Sequence, residues 1–189
     1  MRGYVLTGTP GAGKTTILRA LAELGHEVVE EAATDVIARA QARGEDEPWN
    51  RESFIDEVVE LQRHRQLAAR RTPPAAGATS SALLFDRSPL CTYALAAYQG
   101  RPPSPALTAE IERITTRDVY ARQVFFVRNL GFCEPTSARR ISFRQSLEFE
   151  RIHEETYRAF GYELVDVPAG DLARRVAAID AFVLARRSA

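Results

Sequence analysis

Residues 8–15 read Gly8-Thr9-Pro10-Gly11-Ala12-Gly13-Lys14-Thr15, an unbroken G-x-x-x-x-G-K-[ST] pattern, and Thr16 follows it. An apolar, β-rich run from Tyr4 to Leu6 precedes the pattern. Apolar residues at helical spacing follow it (Ile17, Leu18, Leu21, Leu24), and Gly25 suits a helix C-terminus. Strand, glycine loop and helix in this order form a phosphate cradle. Gly8, Gly11 and Gly13 allow dihedrals and close approach that a Cβ would block. Backbone N–H groups then point into the loop, and the helix N-terminus adds the positive end of its dipole. Lys14 sets a compact charge on the β- and γ-phosphates, and Thr15 offers a hydroxyl to Mg²⁺. The predicted nucleotide-binding set is Thr9, Pro10, Gly11, Ala12, Gly13, Lys14, Thr15 and Thr16.

Composition sharpens that reading. Of 25 basic residues, 24 are arginine, and Lys14 is the one lysine in the chain. Arginine is planar and bulky and substitutes poorly in that slot. A length of 189 residues predicts a single domain, 1–189, long enough for a full core. Hydrophobic residues at 45% and charged residues at 26% exclude a disordered chain. No apolar run is long enough to span a membrane and no leader pattern stands at the N-terminus, so the cytoplasm is the expected compartment. Zero net charge argues against a nucleic-acid partner. Cys91 and Cys133 form neither a disulfide framework nor a zinc pattern and read as buried hydrophobes. His26, His64 and His153 lack ligand spacing and read as surface or core histidines.

Outward from the loop, strands are expected at 27–31, 82–86, 123–127 and 162–167. Helices are expected at 32–43, 51–71, 90–98, 106–118, 147–160 and, capped by Asp171, up to 185. The segments 44–50, 72–81 and 100–105 read as loops, and 128–142 as irregular chain within a lid at about 129–146. Five strands interleaved with helices predict an α/β fold with a parallel sheet. Such sheets bind ligands at the carboxyl ends of their strands, where the glycine loop, Glu31, Asp86 and Arg128 all fall.

Asp86 ends the Ala82-Leu83-Leu84-Phe85 run. It could hold Mg²⁺, directly or through water, or take a proton from a substrate hydroxyl. Arg87 would then face substrate or phosphates. Side chains alternate along a strand, so one of Glu30 and Glu31 faces the cleft; Glu31, at the strand-to-helix turn, is preferred. Arg139, Arg140 and Arg144 suit a closing lid that neutralises charge on a migrating phosphoryl group. Trp49 reads equally as a substrate-ring platform or a buried hydrophobe.

Three reaction classes compete. A guanine-specific switch needs a second lysine, which is absent. A motor ATPase would show Asp-Glu at the strand end, whereas Arg87 follows Asp86. A small-molecule kinase needs a phosphate loop, a strand-end carboxylate, a pocket between helices and lid arginines, and each has a candidate.

The chain resembles the NadR-like P-loop ATPase/kinase group, related to nicotinamide riboside kinase domains and the wider nucleoside and nucleotide kinases. The resemblance rests on Gly8–Thr16, on Val28-Val29-Glu30-Glu31-Ala32-Ala33, on Leu84-Phe85-Asp86-Arg87-Ser88 and on Gly161-Tyr162-Glu163-Leu164-Val165-Asp166-Val167-Pro168. It implies a P-loop NTPase fold like that of nucleoside-monophosphate kinases, with a short lid. It implies that Glu31, Asp86 and Arg87 line an acceptor pocket, that Arg139 and Arg140 belong to the lid, and that Ala169, in the 168–170 loop, lies near the adenine. The expected cofactors are ATP and Mg²⁺, and the expected partner is a small, nucleoside-like or other metabolite that takes the γ-phosphoryl group on a hydroxyl or a phosphate, with monomer and homodimer both open. The alternative is a nucleotide-dependent regulatory protein with slow ATP hydrolysis. A polynucleotide end kinase suits the lid arginines but not the charge.

Overall fold

Among the described residues thirteen elements follow one another, and the parallel order arises because at least one helix returns the chain between each pair of successive strands. The structure is a computed structural model and describes residues 2–71, 82–132 and 141–186. The strands are β1 (Arg2–Thr7), β2 (Glu27–Val29), β3 (Ala82–Asp86), β4 (Gln123–Val127) and β5 (Glu163–Val167). The helices are α1 (Lys14–Glu23), α2 (Ala32–Gln41), α3 (Phe54–Arg71), α4 (Pro89–Tyr98), α5 (Pro105–Thr116), α6 (Phe143–Ala159) and α7 (Leu172–Ala185), with a 3-10 turn at Pro48–Asn50. The strands form one parallel sheet in the order β2-β3-β1-β4-β5, so the expected five-stranded α/β architecture is borne out.

Strand alternation divides the interior in two. Tyr4, Leu6, Leu84, Phe125 and Val127 pack against Ile17, Leu21, Val176 and Ile179 of α1 and α7. Val5, Leu83, Phe85 and Val124 pack on the opposite core with residues of α2, α3, α4 and α5 and Tyr157 of α6. The register pairs Leu6 with Asp86 and Thr7 with Phe126. The glycine loop, Asp86 and the end of β4 therefore emerge side by side. Among the described residues, no helix is long and apolar enough to cross a membrane.

Several boundaries differ from expectation for identifiable reasons. β2 stops at Val29 rather than residue 31. The carbonyls of Glu30 and Glu31 accept from the Arg65 guanidinium at 2.9 and 2.8 Å, which bends the chain into α2 with Glu31 as its N-cap residue. α3 starts at Phe54 rather than residue 51, because Arg51 is extended and its guanidinium bridges Glu45 and Glu57. α6 starts at Phe143 rather than residue 147. Ser142 and Gln145 form a reciprocal capping box, a signal present in the sequence. Ser88 and Ser104 likewise cap α4 and α5 with proline at the first helical position.

Candidate nucleotide and acceptor site

The loop after β1 closes against β4. Gly8 has φ +129°, and a Cβ there would lie 2.2 Å from the Val127 carbonyl oxygen, so the close approach admits only glycine. Gly13 precedes α1 in the left-handed region, and no side chain caps that helix. The first-turn N–H groups of α1 are thus left to a ligand. Lys14 lies across the loop, its Nζ donating to the Thr9 carbonyl at 2.7 Å and the Gly8 carbonyl at 3.2 Å. Burial, and then the nearby Arg87 charge, lower its pKa to about 8.

Asp86 is 5% exposed. Its Oδ2 accepts from the Thr15 hydroxyl at 3.3 Å, while its Oδ1 is buried with no hydrogen-bond partner. Burial raises its pKa, with Lys14 opposing. Among the described residues, no group of three or more His, Cys, Asp or Glu could hold a metal ion by itself. Thr15 Oγ1 and the orphaned Asp86 oxygen are hard donors, and they fit a Mg²⁺ that takes its other ligands from phosphate and water.

Glu31 and Arg87 meet in the cavity wall, Arg87 Nε lying 2.5 Å from Glu31 Oε1. The other Glu31 oxygen accepts from the Thr34 hydroxyl at 2.9 Å. Burial alone would raise the Glu31 pKa. Arg87 and Lys14 outweigh it, so the carboxyl lies below its ordinary value. Glu30 is exposed and turned away. Arg87 has φ +73°, a left-handed conformation that typically costs about 1–3 kcal/mol in a residue with a side chain. Its side chain is 10% exposed, and Glu31 raises its pKa against the desolvation that would lower it.

These groups stand at one end of a cavity of about 720 Å³. Pro10, Gly11 and Gly13 to Thr16 line its phosphate end. The cavity continues past Glu31 and Arg87 between α2, α3, α4 and α6. There Trp49, Phe54, Tyr98 and Phe149 supply aromatic walls, and Gln62 and Thr92 supply polar groups. Thr92 Oγ1 donates to Gln62 Oε1 at 3.0 Å.

The remaining expected residues fall elsewhere. Thr9 and Ala12 belong to the loop, but both residues are wholly buried and do not line the cavity. Asp86 sits beneath the cavity wall rather than in it, touching the site through Thr15. Ala169 is exposed in the turn after β5 and does not line the cavity. Arg139, Arg140 and Cys133 lie outside the described residues. Arg144 is exposed on α6. Arg128 does not face the site. Its guanidinium pairs with Glu154 at 2.9 Å and Asp166 at 2.6 Å and stacks over Phe126, bracing β4, β5 and α6.

Two residues stand against the site without having been expected there, Arg175 and His153, the latter read from the sequence as a surface or core histidine. Arg175 of α7 is 5% exposed and donates to the Ala12 carbonyl at 2.8 Å and the Arg128 carbonyl at 3.0 Å. It ties the phosphate loop to the end of β4. A Cβ at Gly13 would stand 3.2 Å from its Nη1. His153 of α6 is fully buried, and its Nε2 lies 3.3 Å from Arg87 Nη1.

A family model described as an AAA domain matches residues 3–175. Nothing among the curated proteins matches the chain. Among solved structures, the NadR protein in complex with NAD and AMP-PNP superposes with a TM-score of 0.67 at 18% identity. That match covers 96% of this chain and 48% of the other, so the chain spans about half the length of that NadR chain. Deoxyadenosine kinase from M. mycoides, with the products dCMP and a flexible dCDP bound, superposes with a TM-score of 0.56 at 14% identity, covering 97% of this chain and 98% of the kinase. At these identities the likeness concerns the fold, and it bears out the NadR-like P-loop α/β fold expected from the sequence.

Proposed function

The chain belongs to the AAA-domain family whose model spans residues 3–175, and from that premise we propose that it is a Mg-ATP-dependent phosphotransferase acting on a hydroxyl of a neutral, ring-bearing metabolite such as a nucleoside. One observation carries this reading: the phosphate loop opens directly into a second, aromatic chamber with Glu31 and Arg87 at the junction. A pure hydrolase has no use for that chamber. Among the described residues that line the cavity, the cations are Lys14 and Arg87, and Arg87 is paired with Glu31. Glu31 sets a carboxylate oxygen at the junction, an acceptor for a hydroxyl proton and a like charge to a phosphomonoester, so an alcohol is the better fit.

Lys14 and the loop amides hold the triphosphate. Thr15 and Asp86 would hold Mg²⁺, directly or through water, and the ion would supply charge neutralisation to the triphosphate. Glu31 faces the chamber and accepts the hydroxyl proton of the acceptor. The acceptor oxygen bonds to the γ-phosphorus as the bond to the ADP oxygen breaks, and ADP leaves with the electron pair. Glu31 starts as a weak base because Arg87 stabilises its charge. As negative charge builds on the migrating phosphoryl group beside Arg87, that group competes with Glu31 for the fixed guanidinium, and the proton affinity of Glu31 rises. The AAA description of the family favours a second reading, nucleotide-dependent regulation with slow hydrolysis, in which water takes the place of the acceptor. The Arg87 that follows Asp86 speaks against it, because the acid that would polarise water at that position is missing.

Incubation with γ-labelled Mg-ATP and separate pools of ribosides, nucleotides and aminoglycosides tests the proposal. Label in a phosphate ester from the riboside pool supports it. Label in inorganic phosphate alone, at one rate across all pools, selects the regulatory reading.

A further inference from the structure

Arg87 is held from two sides, and only one hold is an ion pair. Glu31 takes Nε at 2.5 Å. On the other side, Nη1 lies 3.3 Å from Nε2 of His153, whose side chain has no exposure to solvent. The partners settle the tautomer. His153 Nδ1 lies 2.9 Å from the Phe149 carbonyl, which can only accept, so Nδ1 carries the proton. Arg87 can only donate, so Nε2 is the bare, accepting nitrogen. The ring is neutral, its pKa lowered to about 3 by burial and then by the Arg87 charge.

His153 belongs to a stripe on α6. Phe149, His153 and Tyr157 recur every fourth residue and so share one helix face. Phe149 lines the cavity and stands edge-on to the His153 ring, with centroids 4.3 Å apart. Tyr157 reaches Ser88 Oγ at 2.6 Å. The left-handed turn at Arg87 is thus gripped at Arg87 by His153 and at Ser88 by Tyr157. We infer that His153 is the positioning residue of Arg87: a neutral acceptor that fixes the guanidinium at the cavity junction without neutralising the charge it presents to the migrating phosphoryl group. A carboxylate in this place would hold Arg87 equally well but would cancel that charge. Once Glu31 takes up a proton, His153 is the hold that remains. The inference rests on the proposed phosphotransfer only for what Arg87 does; the contact itself can be read without turnover.

The test uses the full chain in two ways. A two-bond ¹H–¹⁵N spectrum of histidine-labelled protein reports the tautomer and whether Nε2 accepts a hydrogen bond. The expected result is one histidine protonated at Nδ1, with its Nε2 resonance moving to that of an unbonded nitrogen in Arg87→Met, and likewise in Arg87→Leu should the first variant fold poorly. Release of ADP from Mg-ATP then separates positioning from packing. His153→Leu is expected to lower kcat about 10- to 100-fold with KM for Mg-ATP within about threefold, and His153→Gln, which returns an acceptor oxygen, to recover most of the loss. In an Arg87→Met background, His153→Leu should lower kcat by less than about twofold more. A proton on Nε2, an unchanged resonance in both Arg87 variants, or a loss that repeats in full without Arg87 would overturn the inference. Failure of every acceptor pool to raise turnover would remove the kinase reading and leave the spectrum and the double-variant comparison intact.

Discussion

The two ends of the cavity are built by opposite means. The phosphate end is made by nine consecutive residues, Gly8 to Thr16, and most of its work falls to backbone: glycine dihedrals, amide groups and the uncapped start of α1. The acceptor end draws Glu31, Trp49, Phe54, Gln62, Arg87 and Phe149 from segments more than a hundred residues apart, and its work falls to side chains. A backbone device tolerates change in everything but its geometry. A side-chain device fails one contact at a time. Substitutions should therefore separate the two ends.

Glu31→Gln should act on one end alone. Loss of a general base typically costs about 10²–10⁴ in rate, so acceptor phosphorylation should fall within that range while Mg-ATP binding, read by titration, stays within about threefold. A larger loss of nucleotide affinity would break the separation. Gly8→Ala probes the backbone device, because its Cβ cannot coexist with the Val127 carbonyl 2.2 Å away. A loss of roughly 3 kcal/mol or more in denaturant unfolding is expected, against less than about 1 kcal/mol for the open, left-handed Gly44→Asn. Arg175→Met removes the tie between Ala12 and Arg128 and leaves both carbonyls short of a donor. It should raise KM for Mg-ATP about tenfold with a smaller change in kcat, since the loop must be ordered by the nucleotide itself.

Proton linkage sharpens the comparison further. Lys14 must be charged to hold phosphate, and its pKa in the free protein is about 8. Affinity for ATP should therefore fall by up to about tenfold per pH unit above 8, a limb that Lys14→Arg would abolish along with most of the binding. His153 has a folded pKa near 3, below its ordinary 6.5. A depressed pKa gives stability that is present above the unfolded value and is lost as pH falls. Between about pH 6 and pH 4 the protein should lose up to about 1.4 kcal/mol per pH unit through this group, and His153→Gln should flatten that limb in acid unfolding curves.

The same contrast explains how much was legible in the sequence. The phosphate loop could be read because its constraints are local: glycines at fixed offsets, one lysine, a strand before and a helix after. The sheet could be read from short apolar runs. Glu31 and Arg87 were singled out from their strand-end positions, and the structure brings them into contact. Arg128, also at a strand end, was misleading, because Glu154 and Asp166 claim its charge. The capping box at Ser142 and Gln145 was written in the sequence and places α6 four residues earlier than its apolar pattern suggests. His153 lies 66 residues from Arg87, and Arg175 lies 163 from Ala12. Nothing local marks either residue, since their partners are chosen by packing rather than by spacing.

The central claim is that the chamber beyond Glu31 takes an alcohol that becomes phosphorylated. ADP release from Mg-ATP, measured alone and with pooled ribosides, tests it most directly. The account predicts a stimulated rate, with one phosphate ester formed per ADP and the stimulation lost in Glu31→Gln. A slow rate unchanged by every pool, with Mg-ATP still tightly bound, would contradict it.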